Sequence, residues 1–268
     1  HLDGERVFNA ALVFQGGRLQ GVYRKNLLPN YGVFDEKRVF AAGTDPMVLA
    51  LGGFRLGLHI CEDSWFPEEA PCRALASIGV DALLNISGSP YHRGKLALRE
   101  EILHQASARV GAPLLYCNLV GGQDELVFDG ASMMMADGQV LARGRPFEED
   151  ILFVDVPRKS PTAWPHTPES PAEGGKNDPA EVPTSGRARR SPGTSEGRTV
   201  VALADAGRRR PGGTRLEAPL DDFAEVYAAL KLGLRDYVDK NGFSHVIVAI
   251  SGGIDSALVA VLAVDALG

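Results

Sequence analysis

The sequence predicts an α/β fold in two parts joined by a loosely structured tract, and three observations predict it. Over residues 1–157, apolar runs of strand length alternate first with amphipathic helical segments and then close in hairpins. Residues 157–219 hold ten of the seventeen prolines, with Ser, Gly and Thr, and cannot bury a core. From 220 onward a helix, an apolar strand, a Gly-rich loop and a second helix follow, which is how a parallel α/β domain begins.

Taken in order, residues 7–13 and 19–23 read as strands joined by a turn at Gly16-Gly17, a hairpin signal. Lys25 follows the second strand directly, and the next loop carries Tyr31, Glu36 and Arg38. Residues 47–51 and 54–60 form a strand pair around Gly52-Gly53. Residues 68–78 read as a helix, 81–86 as a short buried strand, and 94–110 as a long amphipathic helix with Leu96, Leu98, Ile102, Leu103 and Ala106 toward one side. A buried strand is expected at 112–118, a turn at Gly121-Gly122-Gln123-Asp124, and strands at 131–136, 139–143 and 151–155, with Asp137-Gly138 as a tight turn. The tract from 158 to 219 contains one apolar island, Thr199–Leu203, readable as a strand or a docking patch. Its Arg208-Arg209-Arg210 run reads as solvated charge rather than a nucleic-acid patch. At Asp222, with Glu225 three positions on, a capping-box-like start opens a helix whose apolar face carries Phe223, Val226, Tyr227, Leu230 and Leu234. Residues 245–250 read as a continuous apolar strand, and 257–267 as an apolar helix.

Composition narrows the function classes. The 268 residues are 44% hydrophobic with a net charge of −6, so neither nucleic acid nor a membrane surface is an expected partner. No apolar run approaches the ~20 residues that span a bilayer, and no signal peptide is visible. Cys61, Cys72 and Cys117 are odd in number and irregular in spacing, which fits a reducing cytoplasm and neither a disulfide framework nor a zinc pair. The chain lacks an initiator methionine and closes on the first helix of its second part, so a fragment is expected.

Two stretches carry chemistry. Residues 54–60 climb as a strand and stop at Cys61-Glu62-Asp63. A cysteine at such a strand end is either an inert core thiol or a nucleophile. Lys25 upstream and Ser87-Gly88-Ser89-Pro90-Tyr91 downstream favour the nucleophile, because a reactive thiol needs a nearby cation and an oxyanion needs a positive partner. Glu62 and Asp63 fit local hydrogen bonding better than a metal, since adjacent side chains on an extended chain point apart. The second stretch is the strand, then Ser251-Gly252-Gly253-Ile254-Asp255-Ser256, then a helix. Small residues there let phosphate oxygens approach backbone N–H groups at a helix N-terminus, Ser251 and Ser256 add hydroxyl donors, and Asp255 can hold Mg2+ bridging phosphates. No Gly-Lys-Ser/Thr follows, so this is not a Walker loop.

The wording YRKNLLPNYGVFDEKRVF, ICEDSW, NISGSPYHRGK and NLVGGQDELVFDGAS resembles the nitrilase, or carbon–nitrogen hydrolase, superfamily, and within it the glutaminase half of glutamine-dependent NAD synthetases. The SGGIDS stretch is similar to the loop of ATP pyrophosphatases, in the form found in NAD synthetases, with Ala249 where many carry Gly. The resemblance implies a partial nitrilase-like α-β-β-α sandwich over 1–157, a flexible linker over 158–219, and the start of a Rossmann-like parallel domain from 220 to 268. It implies Cys61 as nucleophile, Lys25 and the Glu62 N–H as oxyanion donors, and Tyr31, Ser89 and Lys95 as glutamine ligands. Glu36 matches a further acid near the catalytic set, and reads equally well as an ion-pair partner of Arg38. Ala249, Ile250, Ser251, Gly252, Gly253, Ile254, Asp255 and Ser256 would bind ATP, with Asp255 on Mg2+. Implied substrates are glutamine, ATP and deamido-NAD, handled by a homo-oligomer. The general-base glutamate of the family has no match, since only Glu5 precedes Lys25, and the fragment is expected to be inactive alone. The alternatives are a stand-alone amidase and a non-catalytic remnant.

Overall fold

The computed structural model describes residues 1–157, the backbone of 199–203, and residues 214–268. Strands β1 (Leu2–Asp3) and β2 (Arg6–Val7) make a short antiparallel pair, and β3 (Ala10–Gln15) and β4 (Arg18–Arg24) make the expected hairpin. A single helical turn, α1 (Glu36–Val39), leads to β5 (Met47–Leu51) and β6 (Phe54–Ile60), which pair antiparallel as predicted. Beyond the 3-10 turn Cys61–Ser64 come α2 (Ala70–Ile78), β7 (Ala82–Ser87), α3 (Lys95–Val110) and β8 (Leu114–Asn118). The ribbon of β9 (Val120–Gln123) and β10 (Leu126–Asp129) precedes the hairpin of β11 (Met133–Ala136) and β12 (Gln139–Arg143). Then come β13 (Thr199–Leu203), α4 (Asp222–Lys240) and α5 (Ile254–Leu267).

Seven strands form one mixed sheet in the order β12-β11-β8-β7-β6-β5-β13, with β6, β7 and β8 parallel to one another at its centre. The two-residue alternation of side chains sorts its faces. Val48, Leu83, Leu114, Tyr116, Met133 and Met135 point to one face and pack under α2 and α3 with Cys72, Leu75 and Leu103. Met47, Leu49, Leu58 and Ile60 point to the other and meet Tyr23, Ala11 and Val13 of the β3–β4 hairpin. The layers are therefore helix pair, sheet and hairpin. Gly57 is what lets α2 lie so close: a Cβ there would sit 2.7 Å from Leu75 Cδ1.

Four expectations are corrected. The stretch Gly121-Gly122-Gln123-Asp124, read as a turn, is strand β9 as far as Gln123, with the turn at Asp124-Glu125, because Gly121, Gly122 and Gln123 pair with β10. Residues 151–155 join no ladder, although Leu152, Val154 and Val156 alternate onto Met134, Ala136 and Ala142 as a strand would. Residues 245–250 are not a strand: none lies beside them among the described residues, Ile247 is 97% exposed, and a β-segment without a partner has no ladder to hold it. The last helix begins at Ile254 rather than 257. The linker itself lies mostly outside the described residues, including Arg208-Arg209-Arg210. Within it, Thr199–Leu203 is a strand, parallel to β5, and residues 215–217 are not loose but exchange backbone hydrogen bonds with Arg143.

Helix α4 is capped by Asp221, one residue before the expected cap, and the Asp221 carboxylate accepts the Phe223 and Ala224 N–H groups. It packs Ala229 and Leu232 on Phe147, Val120 and Val127, and approaches closely because Gly122 faces Gly233, where a Cβ would be 3.0 Å from the Cα opposite. Among the described residues no helix is long and apolar enough to cross a membrane.

Candidate active site

The ends of β4 and β6 converge. Cys61 closes β6 in the left-handed region, at φ +44, a conformation a β-carbon disfavours and one that concentrates at functional sites. Its thiol is nearly buried, and Asn85 Nδ2 donates to its carbonyl at 3.1 Å while also reaching Ser64 Oγ at 2.6 Å. His59, on the helix side of β6, is fully buried and pushed down to about 4 by desolvation, hence neutral, with Nδ1 3.0 Å from Ser64 Oγ.

Lys25 is buried to 1% exposure, and its ammonium donates to both Glu36 oxygens at 2.8 Å. Of the two readings of Glu36, the pair with Arg38 is overturned: Arg38 is bonded to Asp35, its neighbour three residues back, and Glu36 to Lys25. Burial pushes the Cys61 thiol above its ordinary value. The Lys25 charge and a hydrogen bond from Ser87 pull it down, and Glu62 and Glu36 oppose them.

Glu62 points its carboxylate to Tyr31, whose hydroxyl donates at 2.8 and 3.0 Å. Partial burial raises the Glu62 carboxyl, and Tyr31, Lys25 and Lys95 moderate the rise. Lys95 is the first residue of α3, where the helix dipole disfavours a cation. Its ammonium lies 4.2 Å from the Trp65 ring centroid, and burial followed by Arg99 lowers its pKa. Lys25, Glu36, Cys61, Glu62, Tyr31 and Lys95 thus act on one another. Ser89 is buried nearby, its N–H donating to Asn118 Oδ1 at 2.9 Å. Asn118 leans on Asp129, which forms a two-pronged ion pair with Arg99 at 2.9 Å for both bonds.

Trp65, Asn85, Asn118 and the Arg99–Asp129 pair were not marked in the sequence. An arginine on a helix looks solvated, and its partner lies 30 residues away. The one available signal was Arg99 among apolar helical neighbours, Leu96 and Leu103.

The Ser251–Ser256 loop stands apart and exposed. Ser256 Oγ receives the Ser251 N–H at 3.2 Å, lies 3.1 Å from Ser251 Oγ and donates to the Gly253 carbonyl at 2.9 Å, with Gly252 at φ +85. Ala249 and Ile250 lead in without regular secondary structure, and Asp255 lies exposed in the first turn of α5.

A thiol at a left-handed strand end beside a buried, carboxylate-clamped lysine is the arrangement that a thiol hydrolase of amide-like bonds would need. Residues 1–166 match the carbon-nitrogen hydrolase family model, and the chain belongs to that family. Residues 226–268 match the NAD synthase model. The chain is 42% identical over 266 residues to the glutamine-dependent NAD(+) synthetase of Thermotoga maritima, and 40% identical over 270 residues to that of Aquifex aeolicus. Each match covers 98% of this chain and 43% of the relative, so the chain spans less than half their length. A solved glutamine-dependent NAD+ synthetase from Acinetobacter baumannii, in complex with ADP, superposes with a TM-score of 0.70 at 31% identity, over 98% of this chain and 41% of that one.

Proposed function

We infer that this chain is the glutamine-hydrolysing unit, with the start of the ATP-using unit, of a glutamine-dependent NAD synthetase. The observation that carries the reading is Cys61 at its left-handed elbow under the charge of a fully buried Lys25. Cys61 Sγ attacks the side-chain carbonyl carbon of glutamine, the C–N bond breaks, ammonia leaves, and water then hydrolyses the thioester to glutamate. Lys25 and the Glu62 N–H stabilise the oxyanion. Burial keeps the thiol protonated at neutral pH, so a base must take its proton during attack; Glu36 and Glu62 are already engaged by Lys25 and Tyr31. Tyr31, Ser89 and Lys95 hold the amino-acid end of glutamine, with the half-buried Lys95 ammonium suited to its α-carboxylate.

Residues 249–256 cradle the phosphates of ATP, and Asp255 holds Mg2+. The exposed Asp255 carboxylate would ligate that ion while the loop's backbone N–H groups would take the phosphates, an arrangement that fits an ion held by one or two carboxylates plus substrate phosphates, and the bound ion would neutralise charge on the leaving pyrophosphate. ATP adenylates the carboxylate of deamido-NAD, and ammonia displaces AMP to give NAD. Three unpaired cysteines fit a cytoplasmic setting, and the homo-oligomer rests on the family resemblance alone.

Glutamine labelled with 15N in its side-chain amide should deliver that label to the carboxamide of NAD, in the enzyme at the full length of its relatives with ATP and deamido-NAD. Mass spectrometry of the product decides, and unlabelled NAD would sink the reading. Asp255→Ala should lower NAD formation at least about tenfold with glutamine or ammonia as nitrogen source, because the metal serves the step common to both. Undiminished turnover would remove Asp255 from the metal site.

A further inference from the structure

Asp63 stands two residues beyond Cys61, is completely buried, and has no part in the chemistry above. Its carboxylate accepts four hydrogen bonds. Oδ1 takes the N–H groups of Asn26 at 3.0 Å and Leu27 at 2.8 Å, the two residues that follow Lys25. Oδ2 takes the N–H of Ile60, just before Cys61, at 3.0 Å and the hydroxyl of Tyr23, two residues before Lys25, at 2.8 Å. Closing the turn after β6 needs the Ile60 bond alone. The other three reach across to β4 and flank Lys25 on both sides, so one side chain spans the two strand ends that carry the two groups.

We propose that Asp63 is a positioning residue that locks the chain around Lys25 to the Cys61 elbow and so holds the lysine ammonium in register with the thiol. The proposal rests on the reading of Cys61 as nucleophile and Lys25 as its cation. The charge acting on the thiol depends on that register. Lys25, Lys95 and Arg99 act on Cys61 from the cationic side, and Glu36 and Glu62 from the anionic side. The hydroxyls of Tyr31 and Tyr116 complete its titratable surroundings. Of these seven groups Glu62 belongs to the elbow itself, and Lys25 is the one carried by the end of β4 that Asp63 ties across to it. An asparagine at 63 would keep one acceptor oxygen and turn an NH2 toward donors that need an acceptor, releasing half of the lock.

The test is alkylation of Cys61 by iodoacetamide in the 268-residue chain, read by mass spectrometry on the Cys61 peptide from pH 7 to 10. Wild type, Lys25→Ala, Asp63→Asn and the double variant are compared. Lys25→Ala should slow alkylation at pH 8 by about tenfold, because losing that cation raises the thiol further and leaves less thiolate. Asp63→Asn should slow it by roughly threefold or more, and the double variant should be no slower than Lys25→Ala alone. The sign discriminates, because mere loosening of a buried thiol would speed alkylation. A rate for Asp63→Asn at or above wild type, or slowing that adds to that of Lys25→Ala, overturns the proposal. If Lys25→Ala changes nothing, the nucleophile–cation reading fails and the positioning role falls with it. Should Asp63→Asn not fold, Tyr23→Phe removes one bond of the four: about twofold slowing supports the lock, and an unchanged or faster rate overturns it.

Discussion

Cys61→Ala is expected to reduce glutamine-driven NAD formation by roughly 10⁴-fold or more, while ammonia-driven formation stays at the wild-type rate. The enzyme at the length of its relatives is assayed with each nitrogen source in turn. The asymmetry follows from what the sulfur does. With Cys61 replaced, no covalent intermediate divides the amide cleavage into two easier steps, and the charges gathered around Lys25 have no developing oxyanion to stabilise. The Ser251–Ser256 loop, proposed above for the phosphates of ATP, holds hydrogen bonds of its own, and none of them involves Cys61. Ammonia supplied directly bypasses the first site. Loss of both activities in a folded variant would mean that the two sites are not separate, and retained glutamine activity would remove Cys61 as the nucleophile.

Asp129→Ala is expected to cost about 3–5 kcal/mol of stability, because it leaves the Arg99 guanidinium buried without its anion. Arg99 and Asp129 are 0% and 3% exposed and meet through two parallel bonds of 2.9 Å, so little water shares the charge. The loss spreads toward the site. Asp129 also accepts from Asn118 Nδ2 at 3.3 Å, and Asn118 bonds the backbone of Ser89 in both directions. Urea unfolding of wild type, Asp129→Ala and the paired variant Arg99→Met/Asp129→Leu measures this. The paired variant should recover most of the loss, since it removes both charges instead of stranding one. A cost for Asp129→Ala below about 1 kcal/mol would show that water reaches the guanidinium.

Periodicity placed most strands and helices because each signal is local. Alternation along 47–51 and 54–60 is written in the residues that form those strands, and the Gly79 and Gly111 helix ends are short-range chemistry. It failed where a strand depends on its partner. Residues 245–250 have strand composition with no neighbouring strand among those described, whereas Thr199–Leu203, in an otherwise Pro- and Gly-rich tract, is a strand because β5 offers an edge. Ladder hydrogen bonds are made between segments, and no window of sequence contains both.

The site divides in the same way. From its residues alone the chain offered a thiol at a strand end, a lysine upstream and a phosphate-type Gly-Gly loop as the candidates for its chemistry, since each is a residue type with a reactivity of its own. Only the tertiary structure decided that Glu36 clamps Lys25 rather than Arg38, that Lys95 lies over Trp65, and that the hydrogen bonding of Asp63 reaches across to the residues on either side of Lys25. Burial and partner choice are properties of pairs brought together across tens of residues. The energy of a charge depends on what surrounds it, so its role emerged only once the strands had closed around it.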